Sequence, residues 1–227
     1  MCGRYTLTAP DPAALRLRFG LSAQVRIRER FNIAPGDDVL AVTTDKAGAR
    51  RAEELRWGLV PPWVLTPGAA AKMINARAET ITEKPAYRTA FERFRCLILA
   101  DGFYEWGHPD GGPKRAFHVT RADKQPFAFA GLWSVWHRGG ADELRSCTII
   151  TTAPNHVVSP LHDRMPAILA AGAEPVWLAD DTPAPALLDL LQGLPAAETA
   201  MRPVGSAVND ARYDGPDCLA EPEPTLF

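Results

Sequence analysis

The sequence predicts an α+β fold: one compact domain with a mixed, mainly antiparallel sheet and short peripheral helices. Short apolar runs of strand length recur along the chain without a βαβ rhythm, which argues against a parallel doubly wound sheet. The 21 prolines and 17 glycines are dispersed rather than clustered, so turns are frequent and there is no low-complexity linker. The 227 residues are 46% hydrophobic, enough for a full core, and no shift in composition marks a domain boundary.

The elements follow in order. Asp11-Pro12 before Ala-Ala-Leu-Arg-Leu-Arg-Phe and Gly20 has an N-cap, a first-turn proline and a terminating glycine, and predicts a helix. Arg30 to Pro35 reads as extended chain ending in a turn. Val39–Thr44 and Glu53–Trp57 read as strands flanking the polar turn Asp45–Gly48. Trp57-Gly-Leu-Val-Pro-Pro-Trp63 cannot be a regular element, because two adjacent prolines remove donors and fix φ. Lys84–Phe94 carries a second helical signal. The apolar run Cys-Leu-Ile-Leu-Ala between Arg95 and Asp101 reads as a central strand. Further strands are predicted at 103–106, 115–120, 127–136, 144–152 and 200–205, with a short helix at Pro185–Leu191. The acidic, proline-rich segment 217–227 is expected to be a mobile tail after a domain of residues 1–216.

Composition excludes several classes of function. No run of about 18 apolar residues is present, so no membrane-spanning helix is expected. The start of the chain lacks a basic segment followed by an apolar one, the mark of a secretory signal. The four cysteines at 2, 96, 147 and 218 form no CxxC pair, and Cys96 and Cys147 fall inside apolar runs where a buried thiol is expected. Free thiols fit the reducing cytoplasm. A formal net charge of −2 argues against a generic nucleic-acid coat but leaves room for a local basic groove. His108, His118, His137 and His156 lack metal-ligand spacing, so no metal is expected. No glycine-rich phosphate loop or GxSxG elbow appears, and no cofactor is expected.

The candidate chemistry begins at Cys2. A small residue after the initiator favours removal of Met1, which would leave one residue bearing an α-amine and a thiol. Their ordinary pKa values, about 7.7–8.0 and about 8.5, leave reactive fractions of both near neutral pH. An aldehyde could be captured by the amine as a Schiff base and by the thiol as a thiazolidine. An acyl group could instead be attacked by the thiol with the amine as base. Alternatively, Cys2 lies in a frayed terminus. Glu105, among aromatics in Gly-Phe-Tyr-Glu-Trp, is either a desolvated general acid/base or a solvated edge-strand carboxylate. His162 in Pro-Leu-His-Asp-Arg-Met-Pro is either a proton shuttle or a loop histidine bonded to Asp163. Asn75 could fix a substrate through its amide or cap a turn.

In order, Met-Cys-Gly-Arg at 1–4, Arg-Phe-Asn-Ile-Ala-Pro at 30–35, Arg-Trp-Gly-Leu-Val-Pro-Pro-Trp at 56–63, Ile-Asn-Ala-Arg-Ala-Glu-Thr at 74–80, Gly-Phe-Tyr-Glu-Trp at 102–106 and His-Asp-Arg-Met-Pro at 162–166 resemble the SRAP family, the SOS-response-associated peptidase or abasic-site processing proteins. The resemblance runs to about residue 215, where Val208-Asn209 and Asp214-Gly215-Pro216 are similar to its closing segment. It implies a barrel-like fold and capture of the ring-opened aldehyde of an abasic site in single-stranded DNA as a thiazolidine crosslink. It implies that Cys2 supplies amine and thiol, Asn75 positions cysteine and sugar, Glu105 assists ring opening, and His162 assists Schiff-base chemistry and reversal. It also implies DNA contacts by Arg4, Arg77, Thr151 and Arg164, with Trp106 beside the site and Pro35 and Trp63 wedged against neighbouring bases. Single-stranded DNA with abasic sites is the implied partner, and a monomer is expected. Many relatives carry Lys after the Glu-Trp pair where this chain has Gly107, and Lys84-Pro85 replaces another arginine position.

Two other readings stand beside this one. A thiol peptidase or amidohydrolase would use Cys2 on an acyl carbon, with its own Met1 as the minimal substrate, and would need an oxyanion hole. A non-covalent binder of single strands or modified bases would use Trp63 and Trp106 and would be indifferent to Cys2→Ala. Lyase cleavage through the imine is compatible with the crosslinking reading.

Overall fold

Every long apolar run becomes a strand, and the strands divide into two sheets. In the computed structural model residues 2–8, 11–45, 47–69, 73–108, 111–137 and 140–223 are described. The strands are β1 (Arg4–Leu7), β2 (Arg30–Ile33), β3 (Asp38–Thr44), β4 (Arg50–Trp57), β5 (Asn75–Arg77), β6 (Arg95–Ala100), β7 (Gly102–Gly107), β8 (Arg115–Arg121), β9 (Phe127–Trp136), β10 (Leu144–Thr152), β11 (Met165–Pro166), β12 (Ile168–Leu169) and β13 (Thr199–Val204). Four short helices lie around them: α1 (Pro12–Phe19), α2 (Pro85–Arg93), α3 (Glu174–Leu178) and α4 (Ala184–Asp189).

One sheet is antiparallel, in the order β13-β8-β7-β1-β2. The other runs β10-β4-β3-β6-β9 and closes on itself through β9–β10, forming a five-stranded barrel to which β5, β11 and β12 attach. Closure leaves these five strands without a free edge. The barrel is mixed: β10 runs parallel to β4 and β5, while its other pairings are antiparallel. β9 is buried at every position, as expected for a strand covered on both faces.

The five-stranded sheet lays one face on the barrel. Alternation along β1 and β7 sends Tyr5 and Phe103 inward, where both meet Phe129 of β9 edge-on at 5.5 and 6.4 Å. Arg4, Tyr104 and Trp106 take the opposite face. The helices are fastened by buried charge. Arg95, 4% exposed, donates to the carbonyls of Phe91, Glu92, Trp177 and Ala179, each at 2.7 Å, joining α2, β6 and α3. Arg18 of α1 grips Glu174 of α3 through two bonds of 2.7 Å.

The predicted first helix forms as its caps require: Asp11 accepts from the Ala13 and Ala14 amides, and Gly20 ends it at φ 66°. The other predicted elements lie within a few residues of their expected limits. β1 and β5 are strands the sequence did not announce, because each is too short to show a period of its own. The expected tail departs from expectation at its start. Pro216–Leu219 is a 3-10 turn, Cys218 within it is fully buried, and the Ala220 carbonyl accepts from the Gly205 amide. Packing therefore continues past 216; residues 224–227 lie outside the described residues.

Gly102 begins β7 under the His118 ring. A Cβ there would stand 2.1 Å from His118 Nε2 and 2.9 Å from Thr6 Oγ1. Gly102→Ala is expected to lose about 1–3 kcal/mol of stability through overpacking, read as a lower urea midpoint with unchanged m-value. An unchanged midpoint would mean that His118 can move aside.

Candidate functional site

Cys2 is fully buried, and the reason is the pairing of β1. Arg4, Tyr5 and Thr6 pair with Tyr104, Phe103 and Gly102 of β7, while Tyr5 and Leu7 pair with Ile33 and Arg30 of β2. Cys2 thus lies two residues before the penultimate strand of a sheet and is held close to it. Its direction brings Cys2 alongside the end of β7 that carries Glu105. Burial pushes the Cys2 thiol well above its ordinary value, and the charge of Glu105 adds to that.

Glu105 is 3% exposed and lies on the same face of β7 as Phe103. Burial pushes its carboxyl from 4.5 up to about 7, so near neutral pH it can give or take a proton. The solvated-edge reading of this residue is excluded.

Asn75 opens β5, which is hydrogen-bonded alongside β10 with Ile149 opposite Asn75. Its Nδ2 donates to the Cys2 carbonyl at 2.9 Å, fixing the backbone of the nucleophile. Its Oδ1 is buried and finds no hydrogen-bond partner among the described residues. An orphaned buried acceptor costs free energy and marks a place where a donor belongs.

His162 arrives on the loop after β10. Its Nδ1 accepts from the Arg164 amide at 3.0 Å, which puts the proton of the neutral ring on Nε2. Nδ1 is also 2.8 Å from Asp163 Oδ1, a contact that becomes an ion pair only when the ring is protonated. Burial lowers the ring's pKa, which favours the neutral form and the Arg164 bond. Arg164 is in turn held by Glu79 of the Asn75 segment, with Nη1 and Nη2 on the two carboxylate oxygens at 2.6 and 2.8 Å, and by the Thr151 carbonyl. A continuous set of bonds therefore joins Cys2, Asn75, the 75–79 segment, Arg164 and His162. Glu79 stands inside a motif noticed in the sequence, but nothing in a linear reading reveals its partner 85 residues away.

The expected DNA contacts divide into two groups. Pro35, Trp63 and Arg77 are exposed, Trp63 at 55%, and are available to a strand. Trp136 Nε1 bonds the Val64 carbonyl at 2.8 Å and steadies the loop of Trp63. Trp106 is partly buried, its Nε1 bonded to Asn209 Oδ1 at 2.8 Å. The Arg4 guanidinium lies 5.8 Å from the Trp106 ring centre and donates to Asn32 Oδ1 and the Val208 carbonyl. Arg164 has a side chain only 12% exposed and is committed to Glu79. Thr151 corrects the expectation: it is fully buried and its hydroxyl donates to the Ala76 carbonyl at 3.3 Å, so it offers no side chain to a strand.

The motif at 30–35 proves to be a clamp on the closing segment. Asp214 accepts from the Phe31 and Asn32 amides at 2.6 and 2.8 Å and pairs with Arg30, and Asn32 Nδ2 donates to the Tyr213 carbonyl at 2.8 Å. Among the described residues no three His, Cys, Asp or Glu stand together to hold a metal, and no helix is long and apolar enough to cross a membrane.

A family model described as SOS response associated peptidase (SRAP) matches residues 1–211. The chain is 37% identical over 223 residues to the abasic site processing protein YoqW of Bacillus subtilis (strain 168), covering 96% of this chain and 99% of that protein. It is 34% identical to the abasic site processing protein HMCES of Xenopus tropicalis over 191 residues, 73% of this chain and 56% of that one. A crystal structure of a Bordetella bronchiseptica protein superposes with a TM-score of 0.76 at 27% identity, covering 89% of this chain and 99% of that chain. One from Bacteroides thetaiotaomicron superposes at 0.85 and 24% identity over 97% and 99%, a likeness of fold.

The raised carboxyl of Glu105 has a signed consequence for stability. The folded state binds its proton more tightly than the unfolded chain, so stability is full below about 4.5 and declines as pH rises through about 7. Glu105→Gln removes that loss. The variant is expected to melt above the parent at pH 8 and close to it near pH 4, and equal melting temperatures at pH 8 would contradict a buried, shifted carboxyl.

Proposed function

This chain belongs to the SRAP family, and we propose that it captures abasic sites in single-stranded DNA through Cys2, forming a covalent thiazolidine that shields the lesion. The observation that carries the reading is the convergence on Cys2 of the Asn75 amide, 2.9 Å from its carbonyl, and the buried carboxyl of Glu105 with a pKa of about 7. The names of the relatives, abasic site processing proteins, support the substrate.

Removal of Met1 frees the Cys2 amine, and this is the one peptide-bond cleavage the reading requires. The closed deoxyribose of an abasic site is a hemiacetal; its opening moves a proton from the C1 hydroxyl to the ring oxygen and yields an aldehyde. Glu105, near half-protonation at neutral pH, can in its protonated form deliver a proton to the ring oxygen while its other carboxyl oxygen accepts that of the C1 hydroxyl. The amine then adds to the aldehyde carbon, and loss of one water gives the imine. The thiol adds across the C=N bond, its proton passing to nitrogen, and the five-membered ring closes. The thiol and the amine share one residue, so ring closure is intramolecular and fast relative to attack from solution.

Burial of the thiol suits this order of events. A thiol held neutral does not compete for oxidants, and it ionises once the imine, a cation when protonated, stands beside it. Asn75 Oδ1 supplies the acceptor for the Cys2 ammonium or a sugar hydroxyl. His162, neutral with Nε2–H, serves proton transfer at the imine and in reversal. Exposed Trp63 and Pro35 favour unpaired bases by stacking and by obstructing a duplex, and Arg77 meets the backbone.

Intact mass spectrometry after incubation with a single strand holding one abasic site tests this. A protein lacking Met1 is expected to gain the mass of the strand less one water. Cys2→Ala abolishes the adduct, and Cys2→Ser leaves only an imine that borohydride traps. Glu105→Gln slows adduct formation roughly 10²–10⁴-fold. A Met1-free protein that binds the strand and stays unmodified would sink the covalent reading.

A further inference from the structure

Gly107 ends β7 two residues after Glu105, directly against the loop that delivers His162. A Cβ at 107 would stand 2.7 Å from Leu161 Cδ2 and 2.8 Å from Leu161 Cα. Position 107 can therefore present no side chain to the site, because the backbone preceding His162 already fills that space. Gly107 pairs with Arg115 on β8. The next residue outward on the returning strand is Lys114, at the same end of the hairpin and close enough for its charge to act on both Glu105 and His162. His108 Nδ1 contacts the Gly112 carbonyl at 2.7 Å. Lys114 is exposed and forms no ion pair with a described residue. The neighbouring cations differ: Arg164 is committed to Glu79, and Arg4 is bonded to Asn32 and Val208.

We propose that Lys114 is a substrate-contact residue of the Cys2 site, its ammonium taking a phosphate that flanks the abasic sugar on the Glu105–His162 side. This rests on the abasic-site reading above. A lysine is suited to the task, since a flexible point charge grips the backbone without reading sequence.

The placement also links docking to chemistry. The Lys114 charge lowers the proton affinity of both Glu105 and His162. A phosphate seated on the ammonium offsets that charge, so both proton affinities rise when the strand arrives. Glu105, at about 7 beforehand, then carries its proton at the moment the sugar ring must be opened.

The test uses a single strand with a tetrahydrofuran abasic analogue, which has no hemiacetal and binds without crosslinking. Lys114→Gln is expected to flatten the slope of log K against log salt by about 0.7, the loss of one phosphate contact on a single strand. Lys114→Arg keeps the slope. Lys124→Gln, in the turn beyond the far end of β8, is the control for bulk charge and leaves the slope unchanged. With a true abasic site, Lys114→Gln also moves the pH midpoint of the second-order rate of adduct formation upward. Equal flattening by Lys114→Gln and Lys124→Gln, or no change in slope and midpoint, overturns the inference while native adduct formation stands. Absence of any adduct in the native protein overturns the abasic-site reading instead, and the slope remains a separate readout.

Discussion

The pairing of β1 between β7 and β2 is the constraint on which the site depends. A chain start is ordinarily the least ordered part of a domain. Here its strand is penultimate in an antiparallel sheet, and its Tyr5 is anchored edge-on to Trp57 and Phe129 of the barrel at 5.3 and 5.5 Å. That register, Arg4 opposite Tyr104, decides that Cys2 lies beside Glu105 rather than in solvent. Asn75 then locks the Cys2 carbonyl from the barrel side, so both layers of the fold hold the same residue. The clamp of Arg30 and Asn32 on the closing segment secures β2, and through β2 the outer flank of β1.

Burial is the common cause of the site's electrostatics. It holds the Cys2 thiol protonated, brings the Glu105 carboxyl near neutrality and keeps the His162 ring neutral. For the thiol and the ring, burial reinforces the form that already predominates near neutral pH, whereas for Glu105 it opposes the ionised form that water would favour. Groups poised in this way change state when a ligand brings charge or excludes water, which is the behaviour an acid–base site needs. The polar groups around them are tied to each other rather than left to solvent, as the path from Asn75 through Glu79 and Arg164 to His162 illustrates.

Much of the architecture was legible in the sequence where local chemistry decides the element. The first helix is specified by Asp11, Pro12 and Gly20, and the buried strands β6 and β9 by uninterrupted apolar residues. The short strands β1 and β5 were not legible, because three or four residues cannot display a period and become strands only when neighbours complete their hydrogen bonds. Cys218 looked like part of a tail because its surroundings are acidic and proline-rich, yet it fills a gap beside Tyr104 and Val208.

The sequence by itself determined the reactive residue types and their motifs: a cysteine at position 2, a carboxylate among aromatics, an Asn-Ala-Arg-Ala-Glu segment and a histidine loop. Their types limit the chemistry to what an amine–thiol pair beside an acid can do, capture of an aldehyde or attack on an acyl carbon. The tertiary structure alone decided which of them meet, which are buried, and which are already bonded. It took the Thr151 hydroxyl away from the surface, gave Arg164 to Glu79, and set the Glu105 carboxyl near 7. Desolvation and ion pairing depend on the atoms within a few ångströms, and those atoms come from strands far apart in the chain.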